Sequence, residues 1–305
     1  MIYPSRLQKG DTIGVIAPAG TPNPEKVQKA IPFFKKMGLH VKLGKHIDKI
    51  YGYLAGSDKE RLADIHDMIA NPEIKAIIFA RGGYGTARLA ANIDYHLIRS
   101  NPKIIWGYSD ITYLHTAIRQ ATGLVTFHGP MLASDIAKEN FDYLSASMFN
   151  QLFEPTALHY SEAISSLDVL ASGYAEGELV GGNLSLLASS IGTPYEIDTL
   201  GKLLLLEDIG EEPYRVDGML NQLKLAGKLA DAAGIVIGDF SEAEPTVDVS
   251  LTLEQVFVHY FQDLGCPVMK GFKIGHCLPH FTVPLGVKAQ LSTIGKSLVI
   301  EPGVR

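Results

Sequence analysis

The chain has 305 residues, 46% hydrophobic and 20% charged, with a formal net charge of -6. That is enough apolar mass for one large or two ordinary domains, and too much for a disordered protein. The acidic balance, with Lys35-Lys36 as the longest basic run, argues against a phosphate-backbone binder and removes nucleic acid as a partner.

The N-terminus, MIYPSRLQKGDTIGVIAPAG, lacks the charged, apolar and small-residue zones of a secretory leader, and no apolar segment is long enough to cross a bilayer. A membrane partner is not expected. Cys266 and Cys277 form neither a C-x-x-C pair nor a disulfide framework, which fits a reducing, cytoplasmic location.

Thr12–Ala17 is a short buried strand closed by Pro18-Ala19-Gly20. A helix follows, with Asn23 as N-cap, Pro24 at its first position, an apolar face of Val27, Ala30, Ile31 and Phe34, and Gly38 as its stop. Pro32 inside it is expected to kink it. Ser57 and Glu60 make a capping box ahead of Leu62, Ile65, Met68 and Ile69, a stripe at helical spacing. Ala76–Ala80 and Ile104–Tyr108 are continuous apolar runs suited to a parallel sheet covered on both faces. The alternation implies an α/β layered domain over about 1–150, with ligands where strands end and helices begin.

From Phe149 to Ser172 periodicity weakens, and residues 151–172 read as a connection between domains. Strands at Lys202–Leu206, Gly234–Gly238, Val287–Ser292 and Ser297–Glu301, with a helix near Tyr214–Leu225, make 173–305 a smaller α/β or α+β domain.

Four stretches carry chemistry. In Gly107-Tyr108-Ser109-Asp110, the serine stands where a buried strand turns into a helix. That corner exposes a hydroxyl beside helix N–H groups without intrahelical acceptors. An N-cap is the commoner use of such a serine, and on this segment alone that reading wins. Arg81-Gly82-Gly83-Tyr84-Gly85 closes the preceding strand with glycines that permit close backbone approach, either as an anion site or as a plain tight turn. It fails as a dinucleotide fingerprint because Arg88 stands where a glycine is needed.

Glu207 and Asp208 end the apolar run Leu203–Leu206, as buried acids or as the start of a surface loop. Gly275-His276-Cys277-Leu278-Pro279-His280 holds two histidines whose helix is blocked by Pro279, so a general base fits better than a metal ligand. His128, in His128-Gly129-Pro130, is the rival imidazole. Ser109, Glu207 and His276 supply nucleophile, acid and base in that order.

These residues lie within stretches that resemble the LD-carboxypeptidase (muramoyltetrapeptide carboxypeptidase) family, with microcin-immunity peptidases as a sister branch. The matching pieces run in order: IGVIAPAG at 13–20, ARGGYG at 80–85, GYSDIT at 107–112, HGPM at 128–131, GGNLSLL at 181–187, LLLEDI at 204–209, IVIGDF at 235–240, and GH…PLG text at 275–286.

The resemblance implies a metal-independent serine peptidase without cofactor. Ser109 would be the nucleophile, His276 the base, Glu207 its orienting acid, and the Gly83 and Asp110 amides an oxyanion hole. It implies an N-terminal domain like class I glutamine amidotransferases, a smaller C-terminal β/α domain, a cleft between them, and a homodimer. The substrate would be a murein tetrapeptide losing its terminal D-alanine in cytosolic cell-wall recycling, with Arg81, Tyr84 and Asn183 as candidates for holding it. Two alternatives stay open: an immunity-type amide hydrolase acting on aminoacyl- or peptidyl-nucleotide analogues, and a non-catalytic two-lobed anion binder. The lone Trp106 lies in the first domain, not in a second-domain loop where a base-stacking aromatic is expected, which favours the murein reading. His280 is a second imidazole close to His276.

Overall fold

The computed structural model describes residues 1–305. Five parallel strands come from the first half: β1 (Thr12–Ile16), β2 (His40–Leu43), β3 (Ile74–Phe79), β4 (Ile104–Gly107) and β5 (Thr126–His128). The central ones are buried almost residue for residue, whereas β2 at the edge alternates exposed and half-buried positions. An edge strand has one neighbour, and its sequence, HVKL, tolerates charge accordingly.

The second half contributes β6 (Leu158–Ser161), β7 (Asp168–Ala171), β8 (Tyr174–Asn183), β9 (Leu203–Ile209), β10 (Gly234–Ser241), β11 (Val268–Lys270), β12 (Val283–Leu285), β13 (Lys288–Ser292) and β14 (Ser297–Ile300). One sheet has the order β12-β5-β4-β3-β1-β2, and the other β6-β14-β13-β8-β9-β10-β11-β7. The second sheet is parallel at its centre, β8 to β11, and antiparallel at both flanks. Strand β12 leaves its own half and pairs antiparallel with β5, completing the first sheet. One apolar core runs from Ile13 and Val15 through Trp106, Phe127 and Phe149 to Leu205 and Met269, joining the halves.

Helices pack where the periodicity predicts. Pro24–Lys36 starts at an Asn23 cap, and Asp58–Ala70 starts at the Ser57/Glu60 capping box with both reciprocal bonds present. The first runs through Pro32 without interruption. Residues 151–172 are not a plain connection. They supply β6 and β7, short edge strands whose half-exposed, polar-interrupted sequences LHYS and DVLA carry little apolar signal. β9 also extends past Leu206, so Glu207 and Asp208 are strand residues, 0% and 3% exposed, and not the start of a loop.

Candidate active site

β4 ends at Gly107, where a Cβ would stand 2.8 Å from the Phe79 ring. After buried Tyr108 the chain turns at Ser109 with φ of 65°, a left-handed conformation that costs a non-glycine residue of order 1 kcal/mol and persists only where the surroundings enforce it. The turn leads through a 3-10 segment, Ser109–Ile111, into the helix Thr112–Thr122. Neither start carries a side-chain cap, so the N-cap reading of Ser109 fails. Its Oγ instead lies 3.1 Å from His276 Nε2.

Gly82 lies directly against this corner. A Cβ there would be 3.0 Å from Ser109 Cβ and 3.1 Å from Oγ, so only glycine leaves the hydroxyl its room. The next residue, Gly83, adopts φ of 125°, and its N–H donates to no backbone carbonyl. Asp110 is buried and uses its carboxylate to accept the Thr86 amide at 2.9 Å, tying the serine corner to the glycine-rich loop. Burial raises its pKa, and the Thr86 bonds oppose that rise.

His276 arrives from the other half, in the loop after β11. Its Nδ1 is 2.7 Å from Glu207 Oε2. Glu207 is fully buried in β9, opposite Asn183 of β8. Gly275 allows this approach, since a Cβ on it would stand 2.4 Å from Glu207 Oε2. Burial pulls the His276 pKa down, but the charge and hydrogen bond of Glu207 outweigh it, and the net shift is upward. With Nδ1–H donating to the carboxylate, Nε2 presents its lone pair to the Ser109 hydroxyl.

His280, the second imidazole, is buried against Tyr108 with its ring centroid 4.8 Å away, and burial lowers its pKa to about 4. His276 is therefore the imidazole that reaches the hydroxyl. His128 is fully buried near the other face of Glu207, its Nε2 3.9 Å from Oε1.

The three binding candidates divide. Arg81 and Tyr84 line a cavity of about 700 Å³ with Gly20, Thr21, Tyr53 and Gly83, adjoining the serine corner through the Gly82–Gly83 loop. Tyr84 and Tyr53 stand edge to face, centroids 5.5 Å apart, and both are exposed. Asn183 does not face that cavity. Its Nδ2 donates to Asp208 at 2.8 Å and its Oδ1 caps the helix Leu184–Ser190, so both polar ends are committed to scaffold.

Asp208 also accepts from the Ser185 and Ile209 amides. Burial first, and the neighbouring Glu207 charge next, lift its pKa to about 6. Trp106 is core, donating to the Pro130 carbonyl and stacking on Phe149 at 4.2 Å. No group of three or more His, Cys, Asp or Glu side chains is disposed to hold a metal ion, and no helix is long and apolar enough to cross a membrane.

Sequence reasoning marked Gly82 as a close-approach glycine without showing that it makes room for Ser109, and it missed the space-making Gly275 and the exposed Tyr53. The doubled glycine after a strand was the available signal for the first; nothing local marked the others.

Ser109, His276 and Glu207 thus meet in one hydrogen-bonded series at the junction of two α/β halves, an arrangement to set beside known proteins. The chain belongs to the LD-carboxypeptidase family: residues 13–129 match its N-terminal domain and residues 176–291 its C-terminal domain. It is 57% identical over 302 residues to a probable murein peptide carboxypeptidase of Bacillus subtilis (strain 168), covering 99% of this chain and 95% of that protein. It is 30% identical over 289 residues to a murein tetrapeptide carboxypeptidase of Pseudomonas aeruginosa PAO1, covering 92% of each. A solved structure of MccF in complex with glutamyl sulfamoyl guanosine superposes with a TM-score of 0.92 at 26% identity, covering all of both chains.

Proposed function

We propose that this carboxypeptidase-family protein is a metal-independent serine peptidase that removes the terminal D-alanine from a murein tetrapeptide at an L,D bond. The observation that carries the reading is the relay itself: Ser109 Oγ to His276 Nε2 at 3.1 Å, and His276 Nδ1 to Glu207 at 2.7 Å. The 57% identical relative, named for murein peptide, supports the substrate class.

Ser109 Oγ attacks the scissile carbonyl carbon while His276 Nε2 takes its proton. Glu207 fixes the imidazole tautomer and stabilises the imidazolium that forms. The Gly83 and Asp110 amides receive the developing oxyanion. His276 then passes its proton to the D-alanine nitrogen, which leaves as the C–N bond breaks. A water, deprotonated by the same imidazole, frees the tripeptide acid from Ser109.

A free terminal carboxylate needs a donor-rich pocket. Arg81, in the cavity beside Gly83, is the cation placed to supply it, with Tyr84 and Tyr53 as walls. Cytosolic cell-wall recycling and a homodimer complete the reading.

The test is incubation with a diamino-acid-containing tetrapeptide, following release of tripeptide and free D-alanine, beside Ser109→Ala and an EDTA-treated sample. Cleavage that survives Ser109→Ala overturns the serine mechanism. Release from an aminoacyl-sulfamoyl nucleoside with no D-alanine from the peptide transfers the same relay to the immunity-type reaction.

A further inference from the structure

Behind the relay lies a polar cluster that the proposed mechanism leaves unused. His128 ends β5, directly across the ladder from Gly107 of β4, two residues before Ser109, and from Val283 of β12. It is fully buried, yet neither ring nitrogen has a hydrogen-bond partner in the protein. Glu207 gives one oxygen to His276, while its other, Oε1, is buried and likewise unpartnered. These two orphans face each other, His128 Nε2 to Glu207 Oε1 at 3.9 Å, one carried by the first sheet and the other by the second.

A buried carboxylate oxygen without a donor is costly, as is a buried imidazole N–H without an acceptor. The two costs cancel if the pair is joined, and closing the gap to a hydrogen bond takes only about 1 Å.

Resting on the serine-peptidase reading, we infer that His128 is a positioning residue that, with its proton on Nε2, donates to Glu207 Oε1 and so holds Oε2 on His276 Nδ1. The surroundings suit a neutral ring of that tautomer. Burial, with His280, His115 and His276 as further imidazoles nearby, keeps His128 well below its ordinary pKa. Its Nδ1 faces Gly182 of β8, where a Cβ would stand 3.3 Å from it and 2.6 Å from Thr112 Oγ1. That hydroxyl oxygen accepts the Asn183 amide at 3.0 Å and keeps its own proton for an acceptor. The charged and titratable groups around Glu207 are otherwise His276, Asp208, Tyr108 and Cys277; Tyr108 gives its hydroxyl proton to Asp135 at 3.1 Å, and the Cys277 thiol donates to the Pro279 carbonyl at 3.4 Å. His128 is thus the neutral donor left for Oε1.

The test compares His128→Leu, which removes the donor, with His128→Gln, which keeps an N–H near the Nε2 position. Ser109→Ala serves as the blank, with tetrapeptide as substrate. His128→Leu is expected to lose about 10- to 100-fold in kcat at unchanged KM, the scale seen when a group that orients a metal-ligating histidine is lost, and His128→Gln to recover most of it. Nitrogen-15 spectra of the histidine rings add a readout that needs no activity. Wild-type His128 should remain the neutral Nε2–H tautomer from pH 5 to 8, and the low-field His276 Nδ1 proton should vanish in His128→Leu and return in His128→Gln.

An Nδ1–H or protonated His128 overturns the inference whether or not the variants fold, and so does His128→Leu with wild-type kcat or His128→Gln no better than leucine. Wild-type protein inert on the tetrapeptide would sink the serine-peptidase reading, while the ring spectra still judge the tautomer and its hold on His276.

Discussion

Ser109 reaches the junction on a backbone held at φ of 65°, squeezed between the end of β4 and the Gly82–Gly83 loop. Glu207 and His276 reach it by another route: an acid sunk without exposure in β9, and an imidazole on a loop laid against it. On the first side the nucleophile is placed by main-chain sterics, with the buried Asp110 and His128 standing behind it. On the second the imidazole is placed by a buried charge that also moves its pKa. The contrast teaches that substitutions in the glycine loop against Ser109 should act through geometry and be blind to pH, whereas those at Glu207 should move pH profiles.

The largest effect expected is from Ser109→Ala or His276→Ala, a loss of about 10⁶ in kcat with the fold retained, as in other triads. A loss below a hundredfold by rapid-quench assay would break the comparison at its root. Glu207→Gln should cost less, about 10⁴, because it leaves the geometry and removes the charge that selects the tautomer. It should also shift the acid limb. The neutral imidazole is the working form, and Glu207 raises the His276 pKa, so activity in wild type climbs with pH through a midpoint above 6.5; without the charge that midpoint moves to lower pH.

Gly82→Ala sharpens the sterics. Its Cβ, 3.0 Å from that of Ser109, should lower kcat about a hundredfold without displacing the pH profile. Arg81→Ala should act on binding, raising KM about 10- to 100-fold while kcat holds, as steady-state kinetics would show.

The smallest effect concerns stability. Asp208 titrates at about 6 in the folded chain and near 3.9 when unfolded, so between those values the native state binds the extra proton, and stability falls as pH rises through that window. Asp208→Asn should flatten the decline of Tm between pH 4 and 6, and an unchanged slope would remove Asp208 from the account.

Much of the first sheet was legible because its strands are covered on both faces and so read as unbroken apolar runs. Ala76–Ala80 and Ile104–Tyr108 fell within a residue or two of β3 and β4. The edge strands β6 and β7 were illegible for the converse reason, since half-exposed strands of four residues look like loop. At the site, the residue types and their order marked Ser109, Glu207 and His276, but spacing along a chain says nothing of distance in space. Asn183 shows the limit: an asparagine near a site reads equally as a ligand donor or a helix cap, and only its neighbours, Asp208 and the Leu186 amide, reveal the second.

The return of β12 to the first sheet has a mechanical consequence. The polypeptide crosses between the lobes before the eight-stranded sheet is built and again on either side of residues 283–285, so the lobes are laced together rather than hinged on one tether. Prying them apart would strip a strand from the edge of β5, at the very position of His128. A chain severed near residue 173 would yield a leading fragment lacking its sixth strand.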